Sequence, residues 1–342
     1  VIEPLVIGGA RERGGGNRQC RRTAHHRRPT SRRNIDHGRG RNQIHRAADC
    51  GVTAVADLDT VGAVIGGRDR RQSITGIRRT SDGNVVKDAK VEIHQKTHDF
   101  MFGCIIFDLI GDENSYKTEV FKEKFKQVFN LAVFPFYWPG YESSQGFTKW
   151  EDMLEVIDWC KANGIITKGH PLVWATKSGT PGWLSEYTEK ESEELLKTRI
   201  LNITAGFRDK IELFDVVNEP IHVRTWENKI LNFNDENDWD VTDSIPRIAD
   251  YVEQALQWAH QGNPKATLLI NEYKTLADKD SRKRYDDLLA ELKKRNAPLA
   301  GLGIQAHEPR QDWFSPEEVW KTFDLYSRFG YPIHITEYHP QS

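Results

Sequence analysis

From Asn84 onward the chain alternates two hydrophobic periods. Short apolar, β-branched runs read as buried strands, and between them apolar positions three and four apart read as amphipathic helices. The predicted strands are 100–107, 131–136, 165–173, 211–217, 266–273, 301–307 and 332–338. The predicted helices are 118–130, 150–163, 190–208, 245–261, 281–295 and 316–328, three of them followed by Gly164, Gly262 and Gly330. Strict β–α alternation with short loops implies a parallel sheet with helices outside it. Seven strands and six helices make an α/β barrel of the (β/α)8 type that is incomplete, with the eighth strand and its helix missing. The edges of the first and seventh strands are then expected to be unpaired, an aggregation hazard, and poor folding and weak activity are expected with them.

Ahead of this region the texture changes. Val85, Val86 and residues 89–93 alternate as a half-exposed pair of strands, a short β extension assigned to 81–99. Residues 1–80 contain seventeen Arg but no Lys, Phe, Tyr or Trp. Such a segment has little apolar surface to offset its ordering entropy, so it reads as disordered or as an out-of-frame artefact, and 100–342 as the partial barrel. The Arg/His-rich stretch 18–46 lacks the interleaved aromatics and helical pattern of a nucleic-acid grip. Cys20, His25, His26, His37, His45 and Cys50 match no zinc spacing.

Composition narrows the classes. A net charge of −2 points to neither nucleic acid nor membrane, and no run reaches the eighteen or more apolar residues of a spanning helix. Residues 1–10 are too short and too Gly-interrupted for a signal peptide. The four cysteines form no CxxC pair and give no disulfide framework. Ten Trp, ten Tyr and fifteen Phe are many, and aromatic-rich clefts suit sugar rings, although core filling would account for most of them. A monomer is expected.

Polar groups crowd the C-terminal ends of the predicted strands, where barrel enzymes place their chemistry. In chain order these are Lys168, His170 and Trp174; Asn218 and Glu219; Asn271, Glu272 and Tyr273; Gln305 and His307; and Glu337. Buried polar groups are costly without partners or a task, so their recurrence on five consecutive strands points to a site. Glu219 and Glu337 are the central pair, because cleaving a glycosidic bond requires two carboxylates in one pocket. No cofactor or metal is implied.

The motifs GHPLVW at 169–174, PGWL at 181–184, DVVNE at 215–219, NEY at 271–273, GIQAH at 303–307 and ITE at 335–337 resemble glycoside hydrolase family 10, the β-1,4-xylanase family. The resemblance implies a (β/α)8 barrel and retaining endo-β-1,4 cleavage of xylan, with Glu219 as acid/base and Glu337 as nucleophile. It further implies that Asn218 holds the sugar 2-hydroxyl, that His307 and Gln305 hydrogen-bond the nucleophile, and that His170 and Trp174 line the subsite of the attacked sugar, with Tyr273 nearby. Secretion is expected from the resemblance alone. One segment departs from the family. Pro135 and Phe136 stand where a Glu-Asn is expected, Pro139 and Gly140 where a Lys-Trp is expected, and Ala175 replaces a second histidine. Tyr137, Trp138, Tyr141 and Glu142 are the expected replacements, stacking faces plus one carboxylate. Another β-glycan as substrate, or a non-catalytic carbohydrate-binding barrel, therefore remain alternatives to a xylanase.

Overall fold

The computed structural model describes residues 5–8, 54–57, 91–94, 100–111, 115–235, 237, 243–307 and 314–339. It divides into two compact units, Val1–Arg11 with Phe100–Ser342, and Glu12–Asp99. In the first unit the strands are Leu5–Gly8 (β1) and then, numbered after two strands of the second unit, Met101–Ile105 (β4), Leu131–Pro135 (β5), Ile166–His170 (β6), Leu213–Asn218 (β7), Thr267–Glu272 (β8), Gly301–Ala306 (β9) and Ile333–Tyr338 (β10). Strands β4 to β10 run parallel in sequence order, each hydrogen-bonded to the next, as the alternating pattern predicts.

Among the described residues seven parallel strands are present, and the edges are not bare. The short run of β1 lies antiparallel between β4 and β10, pairing Leu5 with both Cys104 and Tyr338, and so closes the ring. This corrects the expectation of unpaired edges. The reason is physical: Leu-Val-Ile-Gly is a short apolar run with two β-branched residues, suited to pairing on both sides, although Arg-rich sequence follows it. The remainder of the Arg-rich segment, apart from 54–57, lies outside the described residues, with its candidate zinc and nucleic-acid ligands. In the second unit Ala54–Asp57 (β2) pairs in parallel with Val91–His94 (β3). The expected strand partner at 85–86 also lies outside the described residues.

The outer helices are Ser115–Val128 (α1), Trp150–Ala162 (α3), Glu189–Gly206 (α4), Ile245–Gly262 (α6), Lys279–Lys294 (α7) and Pro316–Ser327 (α8), with short helices at Trp138–Tyr141 (α2) and Trp226–Leu231 (α5). Local chemistry sets their starts. Thr188 and Glu191 form a reciprocal capping box at α4, and Asp278 and Ser315 cap α7 and α8. On α6 the buried side chains Ile248, Val252, Ala255, Leu256 and Ala259 fall at helical spacing, each large one worth about 1.5–3 kcal/mol when buried. α4 and α6 approach so closely that a Cβ on Gly262 would fall 1.9 Å from Thr204 Oγ1. β6 stops at His170 because Pro171 has no N–H to offer the ladder; beyond it Val173 keeps only a bridge to Val217.

Strands β5, β7 and β9 are buried along their whole length, whereas β10 alternates buried and half-buried positions. The antiparallel strand is thus a principal support for the least covered strand of the ring. Deleting residues 1–11 should cost about 2 kcal/mol or more and lower the unfolding midpoint by roughly 4–8 °C, with earlier aggregation. Scanning calorimetry with light scattering checks this. An unchanged midpoint would show that β1 contributes nothing.

Candidate active site

The C-terminal ends of β6 to β10 converge on one constellation. On β6, Lys168 and His170 are buried, and both reach Asp215 of β7: Lys168 Nζ lies 2.7 Å and His170 Nδ1 2.8 Å from Asp215 Oδ2. Burial alone would raise the Asp215 pKa, but Lys168 and His170 overcome it and hold the carboxyl below its usual value. An ionised Asp215 accepts from His170 Nδ1, which leaves His170 Nε2 facing the cleft, 3.7 Å from Glu337 Oε1. A Cβ on Gly169 would meet the Phe214 ring at 2.6 Å, so the glycine permits the close packing that sets His170 in place.

Glu219 follows β7 directly, with φ at 58°. A left-handed conformation costs a non-glycine residue about 1–2 kcal/mol, and the surroundings hold it there. Its N–H donates 2.7 Å to the Asn271 carbonyl, and its carbonyl accepts from Val223 N at 3.1 Å. Its carboxyl accepts from Trp174 Nε1 at 2.8 Å and from Gln305 Nε2 at 2.9 Å. Burial and the neighbouring negative charge of Glu337 push the Glu219 pKa up to about 8.

Glu337, near the end of β10, is held the opposite way. Burial opposes its ionisation, but His307 Nε2 donates to it at 2.7 Å, and His307 with His170 brings it below its ordinary value. Asn271 ties Glu337 to Asn218. Its Nδ2 donates 2.6 Å to Glu337 Oε1 and 2.8 Å to Asn218 Oδ1, while Thr336 Oγ1 donates to its Oδ1. Gln305 touches both Glu219 and Asn218, so an unbroken chain of side chains runs from one glutamate to the other.

The structure therefore gathers Glu219, Glu337, His170, Trp174, Asn218, Gln305 and His307. Gln305 hydrogen-bonds Glu219 rather than Glu337. Tyr273 stacks on His222 at 4.1 Å beside this group. Trp138 and Tyr141 are not brought to it. Only 3% and 4% exposed, they pack on the Arg199 guanidinium, and Trp138 stacks on Trp226 at 5.7 Å. Their neighbour Tyr137 takes the cleft position, its hydroxyl 3.1 Å from His170 Nε2 and its ring edge-on to His170 and Trp174. The start of α2 at Trp138 turns the chain, so the residue before the helix faces the cleft and those within it face the core.

Two residues were legible in type but carried no assigned role. Asn271 joins Glu337 to Asn218. Glu272 accepts from Ile221 N at 2.9 Å and pairs with His222 Nδ1 at 2.8 Å, and His222 Nε2 lies 2.9 Å from Ser281 Oγ on α7. This network clamps the turn that carries Glu219. The signal for both residues was their position at a strand end, directly before Tyr273.

A parallel barrel whose mouth holds one carboxyl protonated and another ionised defines a class, the carboxylate-pair glycosidases. The chain belongs to glycosyl hydrolase family 10, whose model matches residues 92–339. It is 33% identical over 196 residues to endo-1,4-beta-xylanase A of Caldicellulosiruptor sp. (strain Rt8B.4), covering 54% of this chain and 27% of that protein. It is 29% identical over 265 residues to endo-1,4-beta-xylanase 2 of Arabidopsis thaliana, covering 75% and 22%. The chain thus spans well under half the length of these two relatives. Among solved structures, a GH10 protein from Paenibacillus barcinonensis matches with a TM-score of 0.56 at 22% identity, covering 70% of this chain and 69% of that one, a likeness of fold.

His334, buried on β10 among the charges of Lys168 and Asp215, supplies a test of the barrel interior. Desolvation and Lys168 lower its pKa from 6.5 to about 4. Between those values the unfolded chain binds a proton that the native chain refuses, so stability falls as pH drops from 6.5 to 4, by roughly 3 kcal/mol in all. His334→Gln should flatten that slope in urea unfolding measured across the window. An unaltered slope would show that His334 does not titrate this way.

Proposed function

We propose that the chain is a retaining endo-β-1,4-glycosidase acting on xylan, with Glu337 as nucleophile and Glu219 as acid/base. The observation that carries this reading is the opposed state of the two glutamates within one hydrogen-bonded group. An ionised Glu337 can attack the anomeric carbon while a protonated Glu219 gives its proton to the departing oxygen. The new bond turns Glu337 into an ester and removes its charge, which was one of the causes holding Glu219 protonated. Glu219 then ionises more readily and takes the proton of the water that releases the product. Asn271 occupies Asn218 Oδ1, leaving the Asn218 amide N–H groups to donate to a sugar hydroxyl, a contact that strengthens as charge develops on the ring. The relatives named endo-1,4-beta-xylanases support xylan as the polymer.

One observation favours a second substrate reading. Tyr137 packs against His170 and Trp174 at the cleft, directly after Pro135 and Phe136, which stand where the resemblance expects a Glu-Asn, and a ring there fits another β-linked glycan as well as xylan. Reducing-sugar release from xylan, mixed-linkage glucan and cellulose separates the two. With Glu337→Ala the release should fall by at least about a thousandfold, or ~4 kcal/mol. Binding of xylan without Glu-dependent release would instead establish a non-catalytic barrel.

The pH dependence follows from the same pair. kcat/KM should hold a plateau up to about pH 8 and drop tenfold per unit above it, as Glu219 loses its proton. On the acid side it should fall only below the ordinary carboxylate range, where Glu337 becomes protonated. Glu219→Gln should abolish the alkaline limb for an aryl glycoside whose phenolate leaves without help. An alkaline limb that survives in Glu219→Gln would assign it to another group.

A further inference from the structure

A groove of about 490 Å³ lies on the outer wall of the barrel between α4, α5 and α6, within the roughly 300–1,000 Å³ typical of ligand sites. Its lining joins the first turns of α4, the start of α5 after β7, and the outer face of α6. Because helices run back against the strands, this places it at the same rim as the carboxylate pair but outside the ring. Trp258, half-buried on α6, offers an aromatic surface, and Gln254 and Gln257 stand on the same helix.

Five carboxylates line the groove: Glu189, Glu193, Glu227, Asp250 and Glu253. Glu227 takes Arg247 at 2.5 Å, Asp250 and Glu253 take Arg295 at 2.6 and 3.3 Å, and Glu193 accepts from Gln254 Nε2 at 2.8 Å. Two guanidiniums thus pair with three of the five, and the groove is a surface rich in hydrogen-bond acceptors beside aromatic rings. Three lining residues also carry polar atoms without a hydrogen-bond partner: Thr225 Oγ1, Trp226 Nε1 and the Tyr251 hydroxyl. Thr225 is 2% and Trp226 4% exposed, and orphaned groups at such depth are costly unless something answers them.

We propose that this groove is a second carbohydrate site, taking a stretch of neutral β-1,4-linked glycan. Sugar rings have an apolar face for Trp258 and equatorial hydroxyls that both donate and accept, which suits amides and carboxylates. Trp226 links the groove to the cleft, since it stacks on Trp138, which directly follows Tyr137, the residue at His170. A polymer held here is kept near the cleft at raised effective concentration, whereas a substrate of one or two sugars gains nothing. The choice of glycan rests on the xylanase reading above; the presence of the site does not.

The test compares the unaltered chain with Trp258→Ala and with the surface pair Gln254→Ala/Gln257→Ala, each checked for native circular dichroism. On an aryl β-xylobioside, kcat/KM should stay within about twofold. On soluble xylan, KM should rise about three- to tenfold, and retardation in xylan-containing gels should weaken when the same changes are made in a Glu337→Ala background. Unchanged KM and retardation in both variants would overturn the site. A separate reading uses the Trp258 indole N–H resonance, assigned by its loss in Trp258→Ala. Xylohexaose should shift it even if the chain hydrolyses nothing, so failure of the catalytic reading is distinguishable from failure of the groove. A shift with spermine and none with xylohexaose would overturn the proposal in favour of a cation site.

Discussion

Charge buried at the mouth of the barrel is the constraint that organises the rest. Glu219, Glu272 and Asp215 lie out of solvent and Glu337 nearly so, and an unpartnered carboxylate at such depth would cost several kcal/mol. Each is answered differently. Asp215 is neutralised by Lys168 and His170, Glu272 is spread over backbone N–H groups and His222, and Glu337 is held by His307 and Asn271. Glu219 alone is met chiefly by neutral donors, Trp174 and Gln305. Donors without charge satisfy its lone pairs but do not offset desolvation, so it remains protonated where its neighbours ionise. The difference between the two central glutamates thus comes from the kind of partner each has been given.

The barrel's parallel part was legible because its strands are buried on both faces and read as unbroken β-branched runs, and because glycines and caps punctuate the helices between them. The site was legible for the same reason turned round: a polar residue at the end of such a run has no packing excuse. What could not be read is orientation at short range. Trp138 and Tyr141 were plausible stacking faces, yet a single turn of helix beginning at Trp138 sends both into the core and leaves Tyr137 in the cleft. Gln305 was expected at the nucleophile, but a residue on β9 lies between β8 and β10 and can reach toward either carboxylate. Register across the sheet decided for Glu219.

The strand that closes the ring was illegible for a different reason. Four residues carry no periodicity that separates a strand from any other apolar run, and the seventeen arginines of residues 1–80 dominate every compositional measure of that region. Pairing to two edges at once is a long-range property. It depends on both neighbours being short of a partner, which appears only when the whole sheet is assembled.

That closure bears on chemistry as well as stability. Glu219 stands after β7, a strand buried along its length between two parallel neighbours, with Glu272 and Asn271 clamping the turn behind it. Glu337 stands on β10, the least covered strand, whose second neighbour is the short antiparallel β1. β1 meets β10 at Tyr338 and at Ile335, on either side of Glu337, and the pairing shifts register between those two contacts. β9 shows a matching irregularity against β10 between Ile335 and Glu337. The backbone of Glu337 therefore pairs with Gln305 of β9 directly after an irregularity at Thr336, and the β1 ladder skips it altogether. Loss of β1 would then release the ionised carboxylate before the protonated one, because the Asn271 and His307 contacts that tune Glu337 depend on where its strand lies.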